Sequence, residues 1–166
     1  MSRVSATRTL ENALRRMGFA MVAGVDEVGR GCLAGPVTAA AVILDPQRHI
    51  AGLADSKAVP AEERAELYDA IVRHAISWAV ASSDPSEIDR LNIHRASLDA
   101  MRFAFRRLRE ERVAVLLATR VDDPAVFGER EFSGIALTGI DAAATGALFA
   151  ERVGGTSTVG WRSESS

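Results

Sequence analysis

Residues 22–44, VAGVDEVGRGCLAGPVTAAAVIL, contain two short apolar runs separated by a glycine-rich connection. The runs extend from Met21 to Asp26 and from Pro36 to Leu44, and each has the length and composition of a β-strand. The connection is too short for the crossover that parallel neighbours need. The segment therefore predicts two adjacent antiparallel strands, and the rest of the fold has to be built around that pair.

The remainder of the chain alternates between helical and strand patterns. Leu10, Leu14 and Met17 lie at helical spacing and predict an N-terminal helix within residues 1–18. Further expected elements are a helix beginning at Pro60, a strand at 75–83, a helix at about 93–110 and a strand ending at Ala118. DPSEIDRLNI is expected to form two polar turns, and residues 154–166 a loose tail.

This order of elements predicts an α/β fold. Three antiparallel strands come first and helices alternate with strands afterwards, so we expect one mixed sheet with flanking helices. The chain has 166 residues, of which 48% are hydrophobic and 25% charged. That size and composition are typical of a single globular domain, here residues 1–166.

Several function classes are not supported by the composition. Asp45 and Pro46 end the run VTAAAVIL well below membrane-spanning length, and the N-terminus lacks the apolar block of a secretory signal. A cytoplasmic protein with no membrane partner is therefore expected. The single cysteine, Cys32, cannot form an internal disulfide and is expected to be a buried filler. Trp78 is expected to pack in the core.

Two acids, Asp26 and Glu27, stand at the end of the first predicted strand. Neighbouring side chains on an extended backbone point to opposite faces, so both can meet one metal ion only if the strand ends or twists there. Carboxylate oxygens are the ligands that Mg²⁺ prefers. Gly29 and Gly31 let backbone N–H groups approach a ligand, and Arg30 has donors suited to phosphate. The alternative is a tight turn with Arg30 in solvent.

AGVDEVGRGCLAGPVTAAAVIL closely resembles the first motif of bacterial ribonuclease HII. The resemblance continues in GLADSKAVPAEERAELYDAI and SEIDRLNIHRASLDAMRFAFRRL and covers about residues 19–118. It implies a ribonuclease H-like mixed sheet and an endonuclease that uses Mg²⁺ or Mn²⁺. The implied substrates are RNA–DNA hybrids and duplex DNA containing ribonucleotides, cut 5′ to the ribonucleotide. No obligate protein partner is implied.

The resemblance also implies roles for individual residues. Asp26 and Glu27 would be the first two of four metal-binding acids. The glycine-arginine segment would follow the ribose 2′-hydroxyl, which distinguishes RNA from DNA, and the Asp-Ser-Lys motif would lie near the substrate backbone. The implied substrate-binding residues are Gly29, Arg30, Gly31, Ser56 and Lys57.

Two further features of the matching region have simpler explanations. Asn92 precedes a predicted helix, so capping is its first interpretation and a nucleic-acid contact the second. An arginine stripe on the following helix could lie along a duplex backbone, but such a stripe is more often the solvated face of an amphipathic helix. The stripe consists of Arg95, Arg102, Arg106 and Arg109.

After about residue 112 the chain departs from the family pattern. The family's third acid belongs to an Asp-Gly element just after the fourth strand, whereas VAVLLATRVDDP has only Asp122 and Asp123 nearby. Asp122 is therefore the candidate third ligand, and the C-terminal part of the fold is expected to be incomplete. A changed reading frame and a degenerate paralogue are both explanations of this pattern.

Two functional hypotheses follow. As an enzyme, the protein would cleave its substrates with Mg²⁺ or Mn²⁺, and Asp26→Asn would abolish cleavage. As a binding module, it would bind hybrid duplexes without cleaving them, because a two-ion site with displaced acids loses several orders of magnitude in rate. The preserved motifs favour the ribonuclease.

Overall fold

A computed structural model of the chain describes residues 8–108, 113–118, 133–138 and 157–162. The helices in these ranges are α1 (Thr9–Arg16), α2 (Ala61–His74), α3 (Pro85–Leu91) and α4 (Ile93–Arg106). The strands are β1 (Met21–Val28), β2 (Val37–Leu44), β3 (Ala75–Ser83), β4 (Val113–Ala118), β5 (Ser133–Thr138) and β6 (Ser157–Arg162). None of the helices described is long and apolar enough to cross a membrane.

The strands form one sheet in the order β3-β2-β1-β4-β6-β5. β2 is antiparallel to both β1 and β3, whereas β1 pairs in parallel with β4. β6 lies between β4 and β5 and is parallel to both. The predicted antiparallel beginning and the mixed α/β architecture are confirmed, and the strand predicted at 75–83 coincides with β3.

Helix α4 packs on one face of the sheet, and small side chains dominate the contact. Because strand side chains alternate between faces, every second residue of β1, β2 and β3 points toward this helix. Ala96, Ala100 and Ala104 on α4 are buried, as their helical spacing predicts. The buried alanines of this core are Ala23, Ala39, Ala41, Ala79, Ala81, Ala100 and Ala104. The helix backbone can therefore approach the sheet closely.

The opposite face of the sheet is only partly covered by the part of the chain that is described. Leu14 of α1 packs there with Val22 and Ala114. Trp78 alternates with Ala79 and Ala81, which face α4, and it is 42% exposed. The prediction that Trp78 packs in the core is therefore wrong.

Three other local predictions differ from the structure. Residues expected to form turns contain helix α3, because Asp84 and Glu87 form a capping box: Asp84 Oδ1 accepts the Glu87 N–H at 2.9 Å, and Glu87 Oε2 accepts the Asp84 N–H at 3.2 Å. Strand β6 lies inside the expected tail of residues 154–166, where β-branched and aromatic residues favour a strand. Cys32, expected to be buried, is exposed in the connection between β1 and β2.

Candidate active site

The two predicted acids lie near the carboxyl end of β1, a strand with neighbours on both sides. β2 and β3 lie on one side of β1, and β4 lies on the other. β1 pairs with β2 as far as Val28, but its register with β4 ends at Val25. Asp26 and Glu27 therefore lie past the last residue of β1 that pairs with β4. In open α/β sheets, ligands bind outside the carboxyl ends of strands at such switch points.

Hydrogen bonds of ordinary length hold the two carboxylates. β1 continues through both acids to Val28, two residues beyond the predicted strand end at Asp26. The Glu27 N–H donates to Asp26 Oδ1 at 2.9 Å, and the Arg30 guanidinium donates to Glu27 Oε1 at 3.0 Å. The Glu27 side chain is 12% exposed, compared with 36% for Arg30. Arg30 is therefore held at the acid pair and is not simply a solvated turn residue.

The surroundings of Asp26 raise the pKa of its carboxyl group. Partial burial is the main cause that raises the pKa of the Asp26 carboxyl, and the nearby charges of Glu27 and Asp55 raise it further. The hydrogen bond from the Glu27 N–H acts in the opposite direction and lowers this pKa. Burial is thus the first cause of the raised pKa, and the charges of the two neighbouring acids add to it.

Two glycines in the connection from β1 to β2 differ in backbone conformation and in the space around them. Gly29 has a φ of +101°, and an added Cβ would lie 2.6 Å from the Pro36 carbonyl oxygen. Gly31 is not among the residues with positive φ, and an added Cβ would meet no atom within 4 Å. The fold therefore explains the glycine at 29 but gives no reason for the one at 31.

The predicted substrate-binding residues Ser56 and Lys57 belong to a 3₁₀ turn, Ser56–Ala58. Asp55 caps this turn, because its Oδ1 accepts the Lys57 N–H at 2.9 Å. Ser56 and Lys57 are both exposed. Asp55 was not predicted as a site residue, although an Asp directly before a short turn is a capping signal that the sequence contains.

The remaining predicted residues lie in different places. Asn92 caps α4, with its Oδ1 accepting the Arg95 N–H at 3.0 Å, so the capping interpretation is confirmed. Arg102 lies 3.8 Å from Asp99, and the Arg95 side chain is on the exposed surface of α4. Asp122 and Arg109 lie outside the described residues. Within the described ranges, no group of three or more His, Cys, Asp or Glu residues could hold a metal ion.

Known proteins have sequences similar to this chain. The family model for Ribonuclease HII matches residues 23–130. The ribonuclease HII of Koribacter versatilis is 49% identical over 108 residues, which make up 65% of this chain and 42% of that protein. The ribonuclease HII of Burkholderia pseudomallei is 58% identical over 84 residues, 51% of this chain and 39% of that protein. The chain thus spans about two fifths of the length of these two curated relatives.

A solved structure supports the same assignment of fold. The crystal structure of ribonuclease H2 from Pyrococcus horikoshii OT3 matches with a TM-score of 0.60 at 20% identity, covering 86% of this chain and 62% of that one. The expected ribonuclease H-like sheet is therefore confirmed. Because the family match covers more than half of the sequence and includes both acids and the glycine-arginine segment, the chain belongs to the ribonuclease HII family.

Proposed function

We propose that this protein is an endonuclease that hydrolyses the RNA strand of RNA–DNA hybrids and cuts 5′ to ribonucleotides embedded in duplex DNA. The observation that carries the proposal is the position of Asp26 and Glu27. Both lie at the carboxyl end of β1, past its pairing with β4, next to an exposed glycine-arginine segment. Membership of the ribonuclease HII family supports the choice of reaction and substrate.

The donor set at the acid pair fits a divalent cation in part. One oxygen of each carboxylate already accepts a hydrogen bond, Oδ1 of Asp26 and Oε1 of Glu27. Their second oxygens are of the type that Mg²⁺ or Mn²⁺ prefers, and Mg²⁺ is commonly held by one or two carboxylates together with water and a substrate phosphate. Because β1 continues through both residues to Val28, the two carboxylates reach one ion only through a twist of the strand. A bound ion would act as a Lewis acid on the phosphoryl group that is being cleaved. Asp122 remains the proposed third ligand.

Gly31 supports recognition of a ribose in this proposal. The surrounding structure leaves space where its side chain would be, so a ligand can come within reach of the backbone. The ribose 2′-hydroxyl both donates and accepts hydrogen bonds, and backbone groups can do the same. Arg30 would then hold Glu27 in place while the backbone of Gly31 contacts the sugar.

The cytoplasm remains the proposed location.

The test is cleavage of a labelled DNA duplex that contains one ribonucleotide, with Mg²⁺ or Mn²⁺. We expect a single cut 5′ to the ribonucleotide, and a loss on the order of a thousandfold in Asp26→Asn because an acid at the reacting phosphate is removed. Asp69→Asn is the matched control, since Asp69 is an exposed acid on α2. Equal cleavage by Asp26→Asn and Asp69→Asn would contradict the proposed site.

A second function is favoured by one observation. Within the described residues, Asp26 and Glu27 are not joined by a third ligand in a metal-binding group. A protein with only these two acids would bind the hybrid but would cleave it poorly with any metal ion. Binding of a hybrid duplex together with no cleavage at high Mn²⁺ concentration would support this alternative over the enzyme.

A further inference from the structure

We infer that Asp55 is a positioning residue, whose side chain holds the backbone of the Ser56–Ala58 turn so that Lys57 is presented to a phosphate of the bound duplex. The inference rests on the proposed function, because Lys57 needs a nucleic-acid ligand for its position to matter. It gives Asp55 a role in binding that is separate from the metal-binding acids.

The contacts of the turn show why the cap is needed. Asp55 Oδ1 accepts the Lys57 N–H at 2.9 Å, and the Asp55 carbonyl oxygen accepts the Ala58 N–H at 2.8 Å. None of the three residues in the turn is buried. Packing therefore does not fix the turn itself, although Val59 directly after it is 5% exposed and anchors its far end. The carboxylate of Asp55 fixes the near end.

Lys57 is exposed in this turn, so its ammonium group is accessible to a ligand. In the proposed function the Asp-Ser-Lys motif lies near the substrate backbone, where a lysine meets a phosphate. Lys57 is the only lysine of the chain, so its loss cannot be compensated by another lysine.

Substitutions at Asp55 separate the cap from the charge. Asp55→Asn retains an oxygen acceptor of the same reach and removes the negative charge, whereas Asp55→Ala removes both. If the residue acts as a cap, Asn rescues the defect that Ala causes. If it acts through its charge, Asn and Ala behave alike.

The experiment measures the dissociation constant of a fluorescent RNA–DNA hybrid in EDTA, where cleavage is absent, over a range of salt concentrations. We expect Asp55→Ala to weaken binding about tenfold, the equivalent of about 1.4 kcal/mol, and Asp55→Asn to remain within about twofold of the parent protein. Both Asp55→Ala and Lys57→Met should reduce the salt dependence by about one phosphate contact. The double variant should bind no more weakly than Lys57→Met alone, since both changes remove the same contact.

Three results would overturn the inference: equal binding by the parent and Asp55→Ala, equal defects in Asp55→Asn and Asp55→Ala, or additive defects in the double variant. Hydrogen exchange of the Lys57 amide tests the cap without any ligand. Its protection should be lost in Asp55→Ala and retained in Asp55→Asn. If the parent protein binds no hybrid, the proposed function fails, and the exchange measurement still decides whether Asp55 holds the turn.

Discussion

Two segments carry the predicted substrate-binding residues, and they are fixed in different ways. The connection between β1 and β2 depends on backbone conformation, with φ values of +101° at Gly29 and +116° at Gly35. The turn at 56–58 depends on a side chain, because Asp55 caps it with one hydrogen bond. The connection excludes side chains at the positions of positive φ. The turn accepts any residue that offers a hydrogen-bond acceptor in the place of Asp55.

This difference predicts different responses to substitution. A change at Gly29 or Gly35, the glycines of positive φ in the connection, costs stability because the backbone conformation itself becomes unfavourable. A change in the capped turn leaves the folded core unchanged and moves only exposed residues. The following experiments begin with the substitution that is expected to cost the most stability.

Gly29→Ala should be the most destabilising of these changes. Its new Cβ would lie 2.6 Å from the Pro36 carbonyl oxygen at a φ of +101°, so clash and backbone strain act together. We expect a loss of about 2–4 kcal/mol in urea unfolding. Gly35→Ala is the matched control, because it has a positive φ but an added Cβ meets nothing within 4 Å. Equal losses in the two variants would show that the contact with Pro36 has no effect.

Asn92→Ala should have an intermediate effect on the free energy of unfolding, since Asn92 has both a positive φ and a capping side chain. Its φ is +70°, and its side chain caps α4 by accepting the Arg95 N–H. Alanine removes the cap and strains the backbone, at a cost of about 1–2 kcal/mol in chemical denaturation. Asn92→Gly removes the cap and relieves the strain, so its loss should be smaller. A larger loss in the glycine variant would contradict this account.

Asp26→Asn should slightly stabilise the protein at neutral pH in the absence of metal ions. The folded pKa of Asp26 is raised, so the folded state binds this proton more tightly than the unfolded state does. The resulting stabilisation is complete below the unfolded pKa and is lost as the pH rises through the folded pKa. Asparagine resembles the protonated acid, so its higher melting temperature in EDTA at pH 7 should disappear in acid. A variant that melts at a lower temperature than the parent at pH 7 would contradict the predicted stabilisation.

Mg²⁺ or Mn²⁺ should stabilise the parent protein more than the Asp26→Asn variant. An ion that binds the folded acid pair stabilises it by about 1.4 kcal/mol at ten times its dissociation constant, and Asp26→Asn should lose most of that gain. Calorimetry of both proteins with and without the ion measures the difference. Equal stabilisation of the two proteins would place the ion elsewhere.

Gly31→Ala should have almost no effect on unfolding. The position has space for a Cβ and is not one of positive φ. We expect the same denaturation midpoint as the parent but about tenfold weaker binding of a hybrid duplex, since the methyl group occupies the space of the ligand. An unchanged affinity would show that Gly31 does not contact the substrate.

The sequence was most informative where local pattern and tertiary packing agree. The segment AISWAVASS predicted β3 at its observed bounds, and Ala96, Ala100 and Ala104 stand at helical spacing on the buried side of α4. Trp78 was misplaced because alternation does not say which of the two faces a helix will cover. Helix α3 was missed although Asp84 and Glu87 stand at capping-box spacing, since seven residues carry little periodicity.

The site could be predicted only in part for a related reason. Asp26 and Glu27 are adjacent in sequence, so a motif suffices to find them. Asp55 is far from them along the chain, and its effect on the pKa of Asp26 depends on the path of the loop after β2. Asp122 lies outside the described residues and stays a prediction. The relative placement of residues that are far apart in sequence follows from the fold and cannot be predicted from local spacing.

The alanine-lined contact between α4 and the sheet limits how this protein can evolve. Most cores accept a larger side chain when a neighbour becomes smaller. Here Ala41 and Ala100 are both fully buried, and only glycine is smaller than alanine. An enlarged residue would therefore push α4 away from the sheet, including β1, the strand that carries both acids. Sequence drift should be slow in this layer even though none of its side chains takes part in chemistry.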